Sequence, residues 1–138
     1  MRELKFRAWD KVNKTYTYVT LGDLICGACT ESGDKKLSGS SQIWEQYTGL
    51  SDKNGLEIYE GDIVRIINNG HYKVVWSDRE AEFTLEALGP NVNCRVYYIF
   101  DGSWTKNYEV IGNIHEISVH SEFLGDNKWK QLGKIKND

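Results

Sequence analysis

The stretch Gln46-Tyr-Thr-Gly-Leu-Ser-Asp-Lys-Asn-Gly-Leu-Glu-Ile-Tyr-Glu-Gly-Asp-Ile-Val-Arg-Ile-Ile67 decides how this chain folds. Within it, Asn54-Gly55 is the strongest short hairpin signal, because a type I′ turn needs positive φ at both central positions and these two residues tolerate it best. Leu56, Ile58 and Tyr59 begin an extended run. Gly61-Asp62 interrupts that run with a second sharp turn, and Ile63, Val64, Arg65, Ile66 and Ile67 resume it as a β-branched strand. The Asp62 carboxylate is placed to accept backbone N–H bonds around the turn, a structural role, and no second titratable group is tied to it by spacing.

Toward the N-terminus, Leu4 to Trp9 alternates, with Leu4, Phe6 and Ala8 on one face and Lys5, Arg7 and Trp9 on the other. That pattern predicts a strand with one apolar side and with Lys5 and Arg7 in solvent. Asp10 to Lys14 supplies turn chemistry and Thr15 to Leu21 returns, so residues 4–21 read as a hairpin. Residues 22–41 carry Gly22, Gly27, Gly33 and Gly39 without sustained periodicity. They read as a long variable loop, broken by one short helix or strand around Leu24 to Ala28, and loops of this length commonly carry function. Ser41 to Tyr47 resumes extended structure.

Toward the C-terminus, Asn68 to Gly70 is a turn and His71 to Trp76 a strand with Tyr72, Val74 and Trp76 on one face. Ala81 to Leu88 returns as a strand, although its Ala, Glu and Leu also suit a helix. Gly89-Pro90-Asn91 breaks the chain, Arg95 to Asp101 is an aromatic strand, and Tyr108 to Ile114 closes the pattern, with strand running on toward Val119. Short strands between Gly, Asn and Asp turns predict a mainly β fold, a small barrel or sandwich whose closure protects its edges.

Three blocks carry a resemblance. Gln46-Tyr-Thr-Gly-Leu with Asp52-Lys-Asn-Gly and Ile58-Tyr-Glu-Gly-Asp-Ile-Val, together with Lys5-Phe-Arg-Ala-Trp-Asp before them and Tyr108-Glu-Val-Ile-Gly-Asn-Ile-His-Glu after, resemble the YopX family of bacteriophage and prophage proteins. The resemblance implies an all-β core with a small SH3-like barrel, or a related partly open barrel, to which the N-terminal hairpin and the long loop read above belong. It implies a phage setting and brings no established biochemical activity. At Ile117-Ser-Val-His the chain departs from the family's Asn-Pro ending.

Length and composition suit one ordered mainly β domain over residues 1–124 followed by a Lys-rich tail over 125–138. A formal net charge of −3 argues against coating nucleic acid by bulk charge. The tail is basic, with Lys128, Lys130, Lys134 and Lys136 against Asp126 and Asp138, while the remainder is acidic. Three cysteines, no apolar run of bilayer length and no signal peptide lead to the expectation of a protein of the bacterial cytoplasm.

Cys26-Gly-Ala-Cys29 has the spacing of a zinc half-site, which Cys94 and a histidine could complete, but a second close pair is missing and idle thiols are the default. His71, His115 and His120 come without a GxSxG or HExxH motif, and the extended run separates the faces of Glu57, Glu60 and Asp62. No catalytic constellation and no cofactor site emerge. Aromatic and basic side chains do interleave, as Arg7 with Trp9, Lys73 with Tyr72, and Arg95 with Tyr97 and Tyr98, a pattern that single-stranded nucleic acids use as well as protein cores. The expectation is therefore a non-enzymatic protein-protein interaction module, with Asn54, Gly55, Gly61 and Asp62 as structural turn residues. The alternative is a single-stranded nucleic-acid binder, and the binding surface expected for either is Arg7, Trp9, Lys128 and Lys130. Open strand edges suit self-association.

Overall fold

The computed structural model describes residues 3–25, 42–68, 70–88, 96–98 and 105–116. Among the described residues nine strands, one short α-helix and one 3-10 turn follow in order: β1 (Lys5–Asp10), β2 (Thr15–Thr20), α1 (Leu21–Ile25), β3 (Gln42–Ser51), β4 (Glu57–Tyr59), β5 (Asp62–Ile66), β6 (Gly70–Ser77), β7 (Glu82–Ala87), β8 (Val96–Tyr98), the 3-10 turn (Thr105–Asn107) and β9 (Tyr108–Asn113). They form a four-stranded sheet, β2-β1-β3-β4, and a five-stranded sheet, β8-β7-β6-β5-β9. All pairings are antiparallel. The fold is mainly β and partly open, with no closed barrel among the described residues.

The N-terminal hairpin forms as expected, with the Asp10 Oδ1 accepting the amides of Val12 and Asn13 at its turn. Where β2 gives way to α1, Thr20 and Asp23 cap each other: the Thr20 amide donates to Asp23 Oδ2 and the Asp23 amide to Thr20 Oγ1. The short helix thus begins before the position expected for it, and residues 26–41, with Cys26 and Cys29, lie outside the described residues. Residues 82–87 are strand, because pairing with β6 overrides their helix propensity. The aromatic run is described only as β8, and Cys94, His120, Lys128, Lys130 and the expected continuation to Val119 lie outside the described residues. The chain turns after β9, at residues 114–116.

At Asn54-Gly55 the hairpin forms, but not through the expected type I′ turn. Gly55 alone takes a positive φ, +81°, and its amide donates to the Asp52 carbonyl. Asp52 explains the difference. Its Oδ1 accepts the amides of Asn54 and Leu56, which holds a longer loop than two residues would need. At the other sharp turn Gly61 has φ +84° and passes the chain from the first sheet to the second. Its amide donates to the Val74 carbonyl and its carbonyl accepts the Ile114 amide.

The apolar core belongs to the second sheet: Val64, Ile66, Val74, Phe83, Leu85, Tyr108 and Val110 pack with Ile58 folded over from β4. The first sheet is built differently. Its inward face carries charge, and β1 is the cause. Arg7 and Trp9, expected in solvent and on a binding surface, are only 5% and 4% exposed. Lys5 is half-buried, between Glu3 and Glu57. Arg7 and Trp9 share a face, as the alternation predicts, but that face is buried rather than in solvent, and Ala8 on the opposite face is buried too. The physical reason is that partners from β2, β3 and β5 satisfy the guanidinium, so a basic residue can occupy an interior position.

Candidate functional site

Strand register brings the charged cluster together. On β1, Arg7 lies directly opposite Tyr18 of β2 and Glu45 of β3, and Trp9 lies opposite Tyr16 and Ile43. Directly paired residues share a sheet face, so Arg7, Trp9, Tyr16, Tyr18 and Glu45 all project toward the second sheet. Asp62, at the head of β5, meets them from the far side.

Arg7 Nε donates to Glu45 Oε2 at 2.6 Å, while Nη2 donates to Asp62 Oδ1 at 2.7 Å and to the Glu60 carbonyl at 3.2 Å. Its guanidinium carbon sits 4.2 Å from the centre of the Tyr16 ring and 4.8 Å from that of Tyr59, within cation-π range of both. A planar fork of donors between two carboxylates and two rings is a geometry that Lys cannot reproduce. Asp62 also keeps its turn role, since its Oδ2 accepts the Tyr59 amide at 2.9 Å.

Glu45 holds three partners. Besides Arg7 it accepts the Tyr16 hydroxyl and contacts His115 Nε2 through Oε1. The His115 ring stacks on Trp9, with centroids 5.1 Å apart and planes 10° from parallel. Asn113 Oδ1 fixes that segment by accepting the amides of His115 and Glu116. The cluster thus ties β1, β2, β3, β5 and the turn after β9 into one unit.

Burial governs the protonation of the cluster. It pushes the Asp62 carboxyl up to about 6, against the lowering effects of Arg7 and the Tyr59 amide. Burial also opposes the charge of Arg7, but Asp62 and Glu45 outweigh it and hold the guanidinium above its ordinary value. The Tyr16 phenol is raised, first by burial and then by Glu45 despite Arg7, and Tyr59 is raised by burial and by Glu57. Glu57 is lowered by its bond from Lys5. Both phenols are therefore neutral, and the charged groups are engaged with one another.

One wall of this cluster opens on a cleft of about 540 Å³. Arg7, Tyr16 and Tyr18 line it from β1 and β2, and Asp62 from β5. Leu56, Glu57 and Tyr59 line it around β4, and Val110, Asn113 and Glu116 around β9. Tyr18 and Leu56 are 60% and 50% exposed. Of the residues expected at a binding surface, Arg7 reaches this cleft from its wall and Trp9 lies behind it, stacked on His115. Gly55 also lines the cleft. Tyr72, paired in the sequence with Lys73, is a core residue, and Lys73 meets Glu86 across the β6-β7 pair. Burial lowers His71.

Glu45, His115, Tyr16 and Tyr18 were not singled out as site residues by the sequence. The hydrogen bonds that tie Glu45 to Arg7, Tyr16 and His115 span 29 to 70 positions. The one local signal was the Tyr-Thr alternation of residues 15–20, which places Tyr16 and Tyr18 on a shared face. Among the described residues no group of three or more His, Cys, Asp or Glu side chains could hold a metal ion.

No curated protein matches this chain. Among solved structures, the crystal structure of protein EF1440 from Enterococcus faecalis is similar, with a TM-score of 0.51 over 82% of this chain and 94% of its own. Its sequence identity of 24% makes this a likeness of fold alone. The family model described as YopX protein matches residues 5–120, which takes in all three blocks of the resemblance and every strand of both sheets, and the chain belongs to the YopX family.

Proposed function

We propose that this protein is a non-enzymatic binding module acting through protein-protein contact, an accessory protein of a phage or prophage in the cytoplasm of its bacterial host. The cleft carries the proposal. It presents an aromatic and an aliphatic side chain, Tyr18 and Leu56, to solvent on a scaffold whose buried charged groups, Arg7, Glu45 and Asp62, are bound to one another. Exposed apolar anchors beside a fixed polar wall are the usual makings of a protein interface. Glu45 and Asp62 are committed to Arg7, which suits positioning better than proton transfer. The phage setting rests on the family. No helix among the described residues is long and apolar enough to cross a membrane.

The nucleic-acid alternative loses the two residues that led it. Arg7 is neutralised by Glu45 and Asp62, Trp9 is buried, and the cleft sets three carboxylates against one guanidinium. Self-association remains part of the proposal. β2 is an outer strand without a charged side chain between Thr15 and Thr20, the kind of edge that pairs with a second copy.

Affinity capture from bacterial cells tests the proposal, with wild-type protein and the Tyr18→Ala/Leu56→Ser variant in parallel. A protein retained by wild type and lost by the variant is the expected outcome. Anisotropy titrations with labelled single-stranded DNA and RNA belong beside it. Saturable binding at physiological salt, with no cleft-dependent protein captured, would overturn the proposal in favour of nucleic acid.

A further inference from the structure

The two sheets end at the same place. β4 is the last strand of the first sheet and β9 the last of the second, and both line the cleft. At one end the loop after β3 bridges them: the Lys53 amide donates to the Tyr108 carbonyl, and Asp52 Oδ2 accepts the Val110 amide. Beyond that bridge lies the cleft. Two outer strands flanking an aromatic-lined gap leave a groove that fits an extended segment, selected by the side chains of its walls.

The chemistry of the walls narrows the occupant. Arg7 Nη1, unlike Nε and Nη2, has no acceptor among the described residues, and Arg7 lines the cleft. The guanidinium charge is already balanced by Glu45 and Asp62. A neutral main-chain carbonyl therefore suits Nη1 better than a phosphate or carboxylate. Along the cleft, Glu57 is bound by Lys5 and Asp62 by Arg7, which leaves Glu116 exposed and without an ion pair among the described residues. A Lys or Arg complements that carboxylate, and the face of Tyr18 suits the stem and charge of such a side chain.

We infer that the cleft between β4 and β9 receives an extended, basic segment of a partner protein, with a main-chain carbonyl on Arg7 Nη1 and a Lys or Arg side chain beside Tyr18 and Glu116. This rests on the protein-partner function proposed above and specifies the partner's chemistry.

A random dodecapeptide library displayed on phage and selected on the immobilised full chain provides the test. Selected sequences should be enriched in Lys and Arg. The best of them, labelled and titrated by anisotropy, should bind Glu116→Lys about tenfold more weakly than wild type, with Glu116→Gln between them. Both variants change an exposed side chain, so loss of fold does not confuse the result. Enrichment of acidic or purely apolar sequences, or binding indifferent to Glu116 and Tyr18, would overturn the inference. A synthetic peptide of residues 125–138 that binds tighter than any selected peptide would give the cleft to the chain's own end and overturn the partner assignment. If no peptide is selected while cellular capture still depends on Tyr18 and Leu56, the inference fails and the partner proposal stands. If neither appears, both fail.

Discussion

Arg7 Nη2 and Asp62 Oδ1 meet at 2.7 Å across 55 positions of sequence, and each side chain is almost wholly buried. Such a pair is stabilising only while all its members are present, because desolvation of each charge is offset by the others. Arg7→Leu leaves Glu45 and Asp62 buried without their cation, and urea denaturation at neutral pH should show a loss of about 3–5 kcal/mol. Arg7→Lys should fall between, since one ammonium cannot reach both carboxylates with the same geometry. Adding Glu45→Gln and Asp62→Asn to Arg7→Leu should recover part of the loss, as the stranded charges are removed. A loss under about 1 kcal/mol for Arg7→Leu would mean that the pair behaves like a surface ion pair.

Gly61 and Gly55 separate two reasons for glycine. Both have positive φ, but an added Cβ at Gly55 would meet nothing within 4 Å, whereas at Gly61 it would lie 2.7 Å from Glu45 Oε1. Glu45 cannot swing aside cheaply, because Arg7, Tyr16 and His115 all hold it. Gly55→Ala should therefore cost about 1–2 kcal/mol from backbone strain alone. Gly61→Ala should cost at least ~1 kcal/mol more through overpacking. Equal losses in thermal or urea melts would show that Glu45 gives way freely.

The same residues mark how far the sequence could be read. Turn glycines and alternation located all the described strands within a few residues, because those signals are local and each strand carries its own. Membership of a face was another matter. Lys5-Phe-Arg-Ala-Trp-Asp alternates polar with apolar, and the rule that charge faces water put Arg7 outside. What put Arg7 inside is a pair of carboxylates on β3 and β5, and nothing near Arg7 in sequence announces them. Asn54-Gly55 fails in the same way on a smaller scale. The dipeptide favours a two-residue turn, and Asp52 two positions earlier captures the amides that stabilise a longer one. The cleft was illegible for the same reason, since it exists only where two sheet ends meet.

Asp52 also joins the hairpin tip to β9, and that link is separable from its turn role. Oδ1 serves the amides of Asn54 and Leu56, whereas Oδ2 serves Val110. Asp52→Ala strands all three donors and should destabilise by about 1–3 kcal/mol. Asp52→Asn keeps one acceptor oxygen and should spare the turn while freeing Val110. Amide hydrogen exchange distinguishes the two: the Val110 amide should lose protection in both variants, and the Leu56 amide only in Asp52→Ala. Unchanged protection at Val110 in Asp52→Asn would mean that the link to β9 is carried by the Lys53 amide alone.

Asp62 sets the pH dependence of the cluster, and its sign follows from burial. Its carboxyl is raised from 3.8 to about 6, burial outweighing Arg7 and the Tyr59 amide. The folded state thus holds its proton more tightly than the unfolded chain does. That contribution to stability is fully present below 3.8 and is lost as pH rises through about 6. Glu57, lowered by Lys5, acts in the opposite sense, its contribution being present above its ordinary value of 4.5 and lost in acid. Side-chain carboxyl NMR should give Asp62 a midpoint near 6. The stability of wild type relative to Asp62→Asn, a variant without that titration, should fall between pH 3.8 and about 6 and level off above. A rise across that window would reverse the balance, placing the attraction of Arg7 above the cost of burial, and would mean that Asp62 enters the neutral range fully ionised and bound to Arg7 as a permanent ion pair.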